Sequence, residues 1–326
     1  MPRAVDVLLV GLGTTAGLRR FEAELAGSLG RAGLSVEAVR ARPRAEPPTL
    51  ALIDLVQALA ARRAAREALA RISPRAVLYS SSTAALLGPR PGAIHFDAPA
   101  AGNRPGRHGI WQRPLERRRF AAAPLVVSTS EGGLAEAPPH RAGLAIPMPV
   151  EPSGPPAPER DIAAVTYAAD AEKKGLDRVL AAWREAARPG EELVVAGLDG
   201  PAGERGGGRV RFAGLLGPDE FRTLLRRARV FVVAPRREDF GLAQLEALAD
   251  GAMLVTTEAP GPYAALPIAR RLDPRLVGDD LAAGLRAALD APRADYAQRA
   301  AEALAPFSRV TVDELVRREL VPRLLP

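Results

Sequence analysis

The strongest constraint on the fold is an alternation of short apolar segments with amphipathic stretches, which occurs on both sides of a Pro-rich segment. Apolar runs of five or six residues in such an alternation are typical of buried parallel strands linked by helices. Residues 151–160 contain five Pro or Gly in ten positions, so neither a helix nor a central strand continues there. A chain of 326 residues is long enough for two domains of roughly 150 residues each. We therefore expect an α/β protein with two Rossmann-like doubly wound domains, residues 1–150 and 151–326, joined by a linker at 151–160.

The predicted elements follow this alternation in both halves of the chain. In the first half, strands are predicted at Val5–Val10, Ser35–Val39, Arg75–Ser80, Gly92–Phe96 and Leu125–Ser128, and helices at Leu18–Ala32 and Leu50–Arg71. In the second half, strands are predicted at Ile162–Tyr167, Glu192–Ala196, Val210–Ala213, Val230–Ala234 and Met253–Thr256, and helices at Leu176–Ala187, Pro218–Ala228 and Leu242–Asp250. The tail from Asp279 is helical with a break at 306–308, so a last helix is expected to return to the first domain. Because such sheets bind ligands at the carboxyl ends of their strands, we expect the two domains to face a ligand-binding cleft.

Composition excludes several classes of protein. Hydrophobic residues make up 47% of the chain, and no apolar run approaches the roughly 18 residues that a membrane-spanning helix needs. The absence of cysteine excludes disulfides, thiolate chemistry and cysteine metal sites. The N-terminal residues do not resemble a secretory leader, so a cytoplasmic location is expected.

Positive charge is concentrated in the first half. Residues 1–150 contain 20 Arg, no Lys and 11 acidic residues, whereas the remainder contains 25 basic and 27 acidic residues. One interpretation is a surface that attracts an anionic acceptor or the inner face of an anionic membrane; the other is a solvated, arginine-rich surface. Nucleic acid is not an expected partner, because aromatic residues are 4% of the chain and do not alternate with basic residues as base stacking requires.

The most informative segment is 234–251. A predicted strand ends there, a loop carries Glu238, and Gly241 opens a helix. The backbone N–H groups at this helix start, which can bind a phosphate, belong to Phe240, Gly241 and Leu242. Glu238 before the start and Glu246 inside the helix can bracket one ligand, and carboxylates accept hydrogen bonds from sugar and ribose hydroxyls. The segment therefore predicts a site for a sugar nucleotide.

This segment resembles the E-x7-E motif of retaining GT-B glycosyltransferases, close to glycosyltransferase family 4. In that family the first Glu contacts the transferred sugar and the second contacts the ribose, which implies these roles for Glu238 and Glu246. The resemblance implies transfer from a nucleotide-diphosphate sugar to a sugar, a lipid-linked or another small acceptor, with no dedicated metal and no cofactor. It covers about 145–326, and the first 145 residues by topology alone. Further similar segments are Ile146–Glu151, Val194–Pro201, Val210–Gly214 and Phe307–Val310.

Lysine usage supports the resemblance independently. The chain has 43 Arg and two Lys, which are adjacent at Lys173 and Lys174 and precede a glycine. A lysine at this place in the family holds the diphosphate, which implies that role for Lys174. The family's Arg five residues earlier falls on Ala169 in this chain. We therefore expect help from one or more of the cations Lys173, Arg236 and Arg237.

The glycine-rich loop after the first predicted strand suggests an alternative from another class. As a G-x-G-x-x-G fingerprint it is incomplete, because the third Gly is displaced to Gly17, and Arg40 stands where an acidic residue belongs. An NADP-binding oxidoreductase is the function that this loop would indicate. In GT-B proteins the corresponding loop faces the cleft, which implies a place near the ligand for Gly11, Gly13 and Thr14.

His95 closes the predicted strand 92–96 at its carboxyl end. It resembles the histidine that the family places near the transferred sugar, where it can donate to a sugar hydroxyl or orient the acceptor. Packing at the strand end is the other interpretation. Three functions stay open: an active transferase, a degenerate member that binds a sugar nucleotide or a partner without turnover, and an NADP enzyme.

Overall fold

The chain forms two compact units, each built on a parallel β-sheet. The computed structural model describes residues 2–43, 47, 49–104, 106–155, 157, 159–200 and 209–325. Unit 1 comprises Met1–Pro149 and Arg309–Pro326, and unit 2 comprises Val150–Ser308. Neighbouring strands of both sheets run parallel throughout the described ranges, and the predicted pair of doubly wound α/β domains is confirmed.

Unit 1 contains the first strands and helices of the chain. The strands are β1 (Arg3–Gly11), β2 (Val36–Arg40), β3 (Ile72–Tyr79), β4 (Ala93–Phe96), β5 (Val126–Ser128) and β6 (Gly143–Ala145). The helices are α1 (Ala16–Arg31), α2 (Leu50–Leu69), α3 (Ser82–Leu86), α4 (Ala100–Asn103), α5 (Gln112–Ala122) and α6 (Glu131–Glu136), with a 3-10 turn at Gly106–Gly109. The sheet order is β2-β1-β3-β4-β5-β6.

Unit 2 repeats the architecture with a sheet of five strands. The strands are β7 (Ile162–Tyr167), β8 (Leu193–Ala196), β9 (Val210–Gly214), β10 (Ala228–Val233) and β11 (Met253–Thr256). The helices are α7 (Leu176–Ala186), α8 (Pro218–Arg227), α9 (Leu242–Ala249), α10 (Ala265–Leu272), α11 (Leu281–Asp290) and α12 (Tyr296–Ala303), with 3-10 turns at Pro274–Leu276 and Ala305–Phe307. The sheet order is β11-β10-β7-β8-β9.

The C-terminal segment belongs to unit 1. It contains α13 (Arg309–Leu315), a π-helical turn (Val316–Leu320) and α14 (Val321–Leu324). Asp313 accepts hydrogen bonds from Ser28 and Arg31 of α1, and Arg309 pairs with Glu24. The buried side chains of the segment are Val312, Val316, Leu320 and Leu324.

Two cores cover the two faces of the unit 1 sheet. Along β1, Val7 and Leu9 point to one face, where they join the apolar side chains of α1 and the C-terminal segment. Leu8 and Val10 point to the other face, where small alanines of α2 pack closely on the sheet. This alternation is the period-2 pattern of a strand that is buried on both sides.

Element boundaries agree with the predicted ones to within a few residues, but the short helices α3, α4, α6 and α10 have no predicted counterpart. The strand β6 has no predicted counterpart, because its three residues are too short for a periodic signal. The Pro-rich segment is not a free linker in its described part: Ser153 donates to Asp250 of unit 2. Residues 156 and 158 of that segment, and Pro201 of the similar segment 194–201, lie outside the described residues. Across the described chain, every helix is too short or too polar to span a membrane.

We expect Leu320→Ala to lower the free energy of unfolding of unit 1 by about 2–5 kcal/mol, because the fully buried side chain leaves a cavity. Val310→Ala is the matched control in the same segment. At 81% exposure it should change the free energy of unfolding by less than about 0.5 kcal/mol. Urea unfolding followed by circular dichroism measures both, and equal small effects would show that the segment adds nothing to the core.

Candidate functional site

Two loops pack against each other at the carboxyl edge of the unit 2 sheet. The turn 170–175 follows β7, and the loop 234–241 follows β10. The N–H of Arg236 donates to the carbonyl oxygen of Lys173 at 2.9 Å. Gly175 has φ 65°, and a Cβ atom there would lie 1.9 Å from the carbonyl oxygen of Ala234. Only glycine permits this approach, which brings the side chains of the two loops together.

Lys174 and Glu238 form a largely buried ion pair at this junction. Lys174 Nζ lies 2.7 Å from Glu238 Oε2, and Gln244 Nε2 donates to the same oxygen at 2.8 Å. Glu238 is 5% exposed. An ammonium group has three N–H donors, so its contact with Glu238 leaves Lys174 able to donate to a phosphate oxygen as well. The structure therefore brings the predicted diphosphate residue and the predicted sugar residue into contact.

Asp239 holds the two neighbouring cations. Lys173 Nζ lies 2.8 Å from Asp239 Oδ2, and Arg237 Nε lies 2.8 Å from Asp239 Oδ1. Arg236 instead makes a bidentate contact with Asp177 at 2.9 Å for both pairs of atoms, and this contact lowers the pKa of the Asp177 carboxyl to about 2. Of the two arginines in the loop, Arg237 is thus the one held beside Lys173 by a shared carboxylate.

The helix start after Glu238 has no side-chain cap. Gly241 is the N-cap residue of α9 at φ 87°, no side chain caps this start, and the first turn contains no acidic residue. The ring of Tyr263 lies so close to Gly241 that a Cβ atom there would be 2.9 Å from it. Unpaired N–H groups at such a start favour a phosphate. The predicted donors at this start are Phe240, Gly241 and Leu242.

Glu246 lies in a buried charge network. It is 4% exposed, and its Oε1 lies 3.4 Å from Arg222 Nη1. The same guanidinium contacts both oxygens of Asp250 at 2.6 and 3.0 Å, and Asp250 also accepts the N–H of Ser153 at 2.8 Å. Arg160 also lies beside Asp250 and donates to its carbonyl oxygen at 2.7 Å. The carboxylate of Glu246 is of a type that accepts hydrogen bonds from ligand hydroxyls. Asp250 fixes the arginine that orients Glu246.

Sequence reasoning missed four residues of this site. One signal was available for Gln244, which is a polar residue on the otherwise apolar stretch that begins α9. No sequence signal pairs Arg222 with Glu246, because 24 positions and a strand separate them. The missed residues are Asp239, Gln244, Arg222 and Asp250.

Ala169 lies at the carboxyl edge of the same sheet and is exposed. A Cβ atom at Gly197, which follows β8, would lie 2.8 Å from the backbone nitrogen of Ala169. The backbone there is therefore closely packed, while the side chain points to solvent. A longer side chain at this position fits without displacing the core.

The glycine loop of unit 1 is filled by a carboxylate of the chain itself. Glu22 Oε1 accepts the N–H groups of Leu12 at 2.8 Å and Gly13 at 3.1 Å, and the hydroxyl of Ser80 at 2.9 Å. A Cβ atom at Gly11 would lie 2.4 Å from the carboxyl carbon of Glu22. A dinucleotide needs these loop amides for its pyrophosphate. The internal carboxylate therefore argues against the NADP alternative.

His95 lies beneath α1 and is 3% exposed. Its ring stacks on Phe21 with 4.0 Å between the ring centroids, beside an apolar cavity of about 20 Å³. Neither imidazole nitrogen has a hydrogen-bond partner in the described chain. Burial lowers the pKa of His95 to about 3, although the nearby backbone of Ser80 acts in the opposite direction. The imidazole is therefore neutral at physiological pH, and this environment favours a packing role.

The other two histidines lie apart from these residues. His108 is exposed, and His140 Nδ1 lies 2.9 Å from the carbonyl oxygen of Pro138. Within the ranges that the structure describes, no group of three or more His, Cys, Asp or Glu side chains could hold a metal ion.

Comparison with known sequences places a family match on unit 2. Residues 159–290 match the family model described as Glycosyl transferases group 1. This range contains Lys174, Glu238 and Glu246, together with the strands and helices that hold them. No protein with a curated description matches the chain in sequence.

Solved structures resemble nearly the whole chain. Sucrose-phosphate synthase from Thermosynechococcus elongatus is 14% identical with a TM-score of 0.72, and the match covers 98% of this chain and 99% of that one. WaaG, a glycosyltransferase involved in lipopolysaccharide biosynthesis, is 14% identical with a TM-score of 0.72, covering 97% and 100%. HepE from Anabaena, determined with UDP and glucose, is 15% identical with a TM-score of 0.69, covering 97% and 99%. At such low identity the likeness shows the fold, which is GT-B, and together with the family match it supports a GT-B glycosyltransferase.

We expect His95→Phe to flatten the pH dependence of stability below pH 6.5. A neutral buried histidine stabilises the fold fully above its unfolded pKa of 6.5, and this contribution is lost as the pH falls towards about 3. Between pH 7 and pH 5 the protein should lose about 2 kcal/mol of unfolding free energy that His95→Phe does not lose. Urea unfolding at both pH values measures the difference.

His108→Phe is the control for this variant, because it removes an exposed histidine. It should keep the pH dependence of the unchanged protein. A packing role also requires that His95→Phe keep its rate of glycosyl transfer, whereas a large loss of turnover with unchanged stability would assign His95 to catalysis.

Proposed function

We propose that the protein is a retaining, metal-independent hexosyltransferase of the family 4 type, which transfers a sugar from a nucleotide-diphosphate donor to a small acceptor. The observation that carries this proposal is the contact of Lys174 with Glu238 beside the uncapped start of α9, within the family-matched range. A cation, a carboxylate and a helix N-terminus at one sheet edge suit a diphosphate joined to a polyhydroxy group.

In this proposal the diphosphate binds Lys174 and the N–H groups at the start of α9. Lys174 and Gln244 both contact Oε2 of Glu238. No side-chain donor in the described part of the chain contacts Oε1, and we assign this oxygen to a hydroxyl of the transferred sugar. The ribose is assigned to Glu246, whose carboxylate is oriented by Arg222. Protein cations then offset the charge that develops on the departing diphosphate, in place of a metal ion.

Arg237 and Lys173 are proposed to supply the positive charge that Ala169 lacks. Asp239 holds both side chains in the loop next to Glu238. Each charge-assisted contact to a phosphate contributes roughly 1.5–3 kcal/mol, so one such contact replaces most of the effect of a missing arginine.

The acceptor is assigned to unit 1. This unit contains 24 Arg and 14 acidic residues, and its excess positive charge suits an anionic acceptor or an anionic membrane surface that presents a lipid-linked one. We propose a cytoplasmic enzyme that works at such a surface when its acceptor is lipid-linked. HepE was determined with UDP and glucose, which supports a uridine nucleotide as the first donor to test.

Substitutions of the central ion pair should separate binding from chemistry. Lys174→Ala should weaken nucleoside diphosphate binding by roughly 1.5–3 kcal/mol, because it removes a charge-assisted contact and leaves Glu238 buried without its cation. Glu238→Gln should lower kcat by about a hundredfold or more while the Kd of the nucleoside diphosphate changes little. Calorimetric titration with UDP, GDP and ADP, combined with donor hydrolysis and transfer assays, measures both effects.

Glu185→Gln is the control, because it removes an exposed carboxylate on α7 of the same unit. It should leave binding and turnover unchanged. If Lys174→Ala bound every nucleoside diphosphate as tightly as the unchanged protein, the donor site would have to be sought elsewhere.

The two loop arginines offer a second, internally matched test. Arg237→Ala should weaken nucleoside diphosphate binding by roughly 1–3 kcal/mol, whereas Arg236→Ala should have little effect because its guanidinium is held by Asp177. Ala169→Arg should partly rescue Arg237→Ala, since the exposed position allows a new cation at the sheet edge. Calorimetric titration of the three variants and of the double variant tests this.

Equal effects of the two alanine substitutions would contradict the role given to Arg237. A protein that binds the nucleotide weakly and gains turnover only with Ala169→Arg would instead be the degenerate member, which binds without transfer. An unchanged affinity in the Ala169→Arg variant, with measurable turnover of the unchanged protein, supports the active enzyme.

A further inference from the structure

The carboxyl ends of β1, β2 and β3 lie side by side at one edge of the unit 1 sheet. The strand order β2-β1-β3 reverses the direction of winding at β1, because α1 packs on one face of the sheet and α2 on the other. Ligands of open α/β sheets bind in the crevice at such a reversal, outside the carboxyl ends of the strands. The residues at these strand ends therefore decide which chemistry unit 1 recognises.

The buried hydrogen-bond donors at these strand ends are already paired with a side chain of the protein. Glu22 Oε1 accepts the N–H groups of Leu12 and Gly13 and the hydroxyl of Ser80, so a single buried carboxylate ties the ends of β1 and β3 together. A ligand phosphate cannot take these donors without displacing Glu22. An anion at this sheet edge must therefore bind further out, on side chains at the rim of the loop.

Two arginines form that rim. The side chains of Arg19 and Arg40 both lie against Gly13: a Cβ atom there would be 3.0 Å from Arg40 Cδ and 3.6 Å from Arg19 Cγ. Arg40 Nε donates to Glu22 Oε2 at 3.1 Å, which fixes the guanidinium while 49% of the side chain stays exposed. Arg19 Nη1 donates to the carbonyl oxygen of Gly13 at 3.0 Å. Both guanidinium groups are thus held in place with donors left over, since each carries five N–H groups.

The charge balance at this rim is positive. Arg40 is paired with Glu22, whereas Arg19 forms no ion pair with an acidic residue in the described part of the chain. The guanidinium groups of Arg19 and Arg40 and the one carboxylate of Glu22 leave an excess of one positive charge. A phosphate group carries about −1.5 to −2 charge at neutral pH, and planar guanidinium groups match its oxygens.

We propose that Arg19 and Arg40 form a phosphate-recognition site of unit 1, at which the acceptor is held by its phosphate group. This assignment rests on the proposed function in one respect, namely that the bound phosphate group belongs to the acceptor. The same chemistry is presented by a sugar phosphate in solution and by the headgroup of an anionic phospholipid. Glu22 acts as a positioning residue, because it holds Arg40 and closes the loop amides to the ligand.

The test measures phosphate binding by the full chain in a Lys174→Ala background, in which anion binding at the proposed donor site is weakened. The probes are inorganic phosphate and glucose 6-phosphate, with glucose as the neutral control. Isothermal titration should show binding of both phosphates and none of glucose. Arg19→Gln, and separately Arg40→Lys, should weaken phosphate binding by about tenfold or more, since each removes guanidinium contacts. Arg40→Lys keeps a cation beside Glu22, and exposed Arg19 can be replaced without disturbing the core.

A double variant, Arg62→Gln with Arg66→Gln, is the matched control for charge. It removes two exposed guanidinium groups of the same unit, in the half of α2 that leads away from the carboxyl edge of the sheet. It should bind glucose 6-phosphate within twofold of the background protein. Equal weakening by this control and by the Arg19 and Arg40 variants would overturn the site in favour of general charge attraction. The absence of phosphate binding, or binding that ignores both Arg19→Gln and Arg40→Lys, would also overturn it unless the lipid is the partner.

The lipid partner is tested with vesicles of phosphatidylglycerol and phosphatidylcholine against vesicles of phosphatidylcholine alone. Co-sedimentation that needs phosphatidylglycerol and is lost in Arg19→Gln, but not in the double control, supports the site with a phospholipid headgroup as its source. The proposal is overturned if Arg19→Gln leaves vesicle binding unchanged and free phosphates do not bind. Nucleoside diphosphate titration of Arg19→Gln, with Lys174 restored, is a separate readout of the proposed donor site. Failure of the nucleoside diphosphate to bind would contradict the donor site and would leave this proposal untouched.

Discussion

The close approach of Gly175 to the carbonyl oxygen of Ala234 is the constraint on which the proposed donor site depends. Only a residue without Cβ fits this contact, and it seats the turn after β7 on the loop after β10. Lys174 and Glu238 meet because these two loops meet, and the ion pair then has Gln244 of α9 as its third partner. A side chain at position 175 would separate the loops, so backbone packing, before any charge, sets the chemistry of this edge.

Buried carboxylates organise both units by holding arginines in fixed positions. In unit 2, Asp250 fixes Arg222 beside Glu246, and in unit 1, Glu22 fixes Arg40 beside the glycine loop. A buried ion pair adds little net stability, but it restricts each guanidinium to one orientation. The two networks share this physical function, although they lie on unrelated segments of the chain.

The architecture and the residues proposed for the donor site were visible in local signals. Strand and helix periods, Pro and Gly positions and the spacing of Glu238 and Glu246 are properties of neighbouring residues, and a sequence displays them directly. β6 was missed because three residues carry no period. The environment of His95 was not predictable, because its burial under Phe21 depends on how α1 packs on the sheet. The preference for Arg237 over Arg236 was not predictable either, because it depends on which carboxylate each reaches.

The sequence by itself determined two doubly wound domains, the helix start at Gly241, and the residue types of the candidate site. Tertiary structure alone decided that Glu22 fills the glycine loop, that Asp250 and Arg222 stand behind Glu246, and that the Pro-rich segment docks on unit 2 through Ser153. The physical reason is the range of the interactions. Backbone preferences and hydrophobic periods act between near neighbours, whereas hydrogen bonds and ion pairs join any groups that the fold brings within about 3 Å.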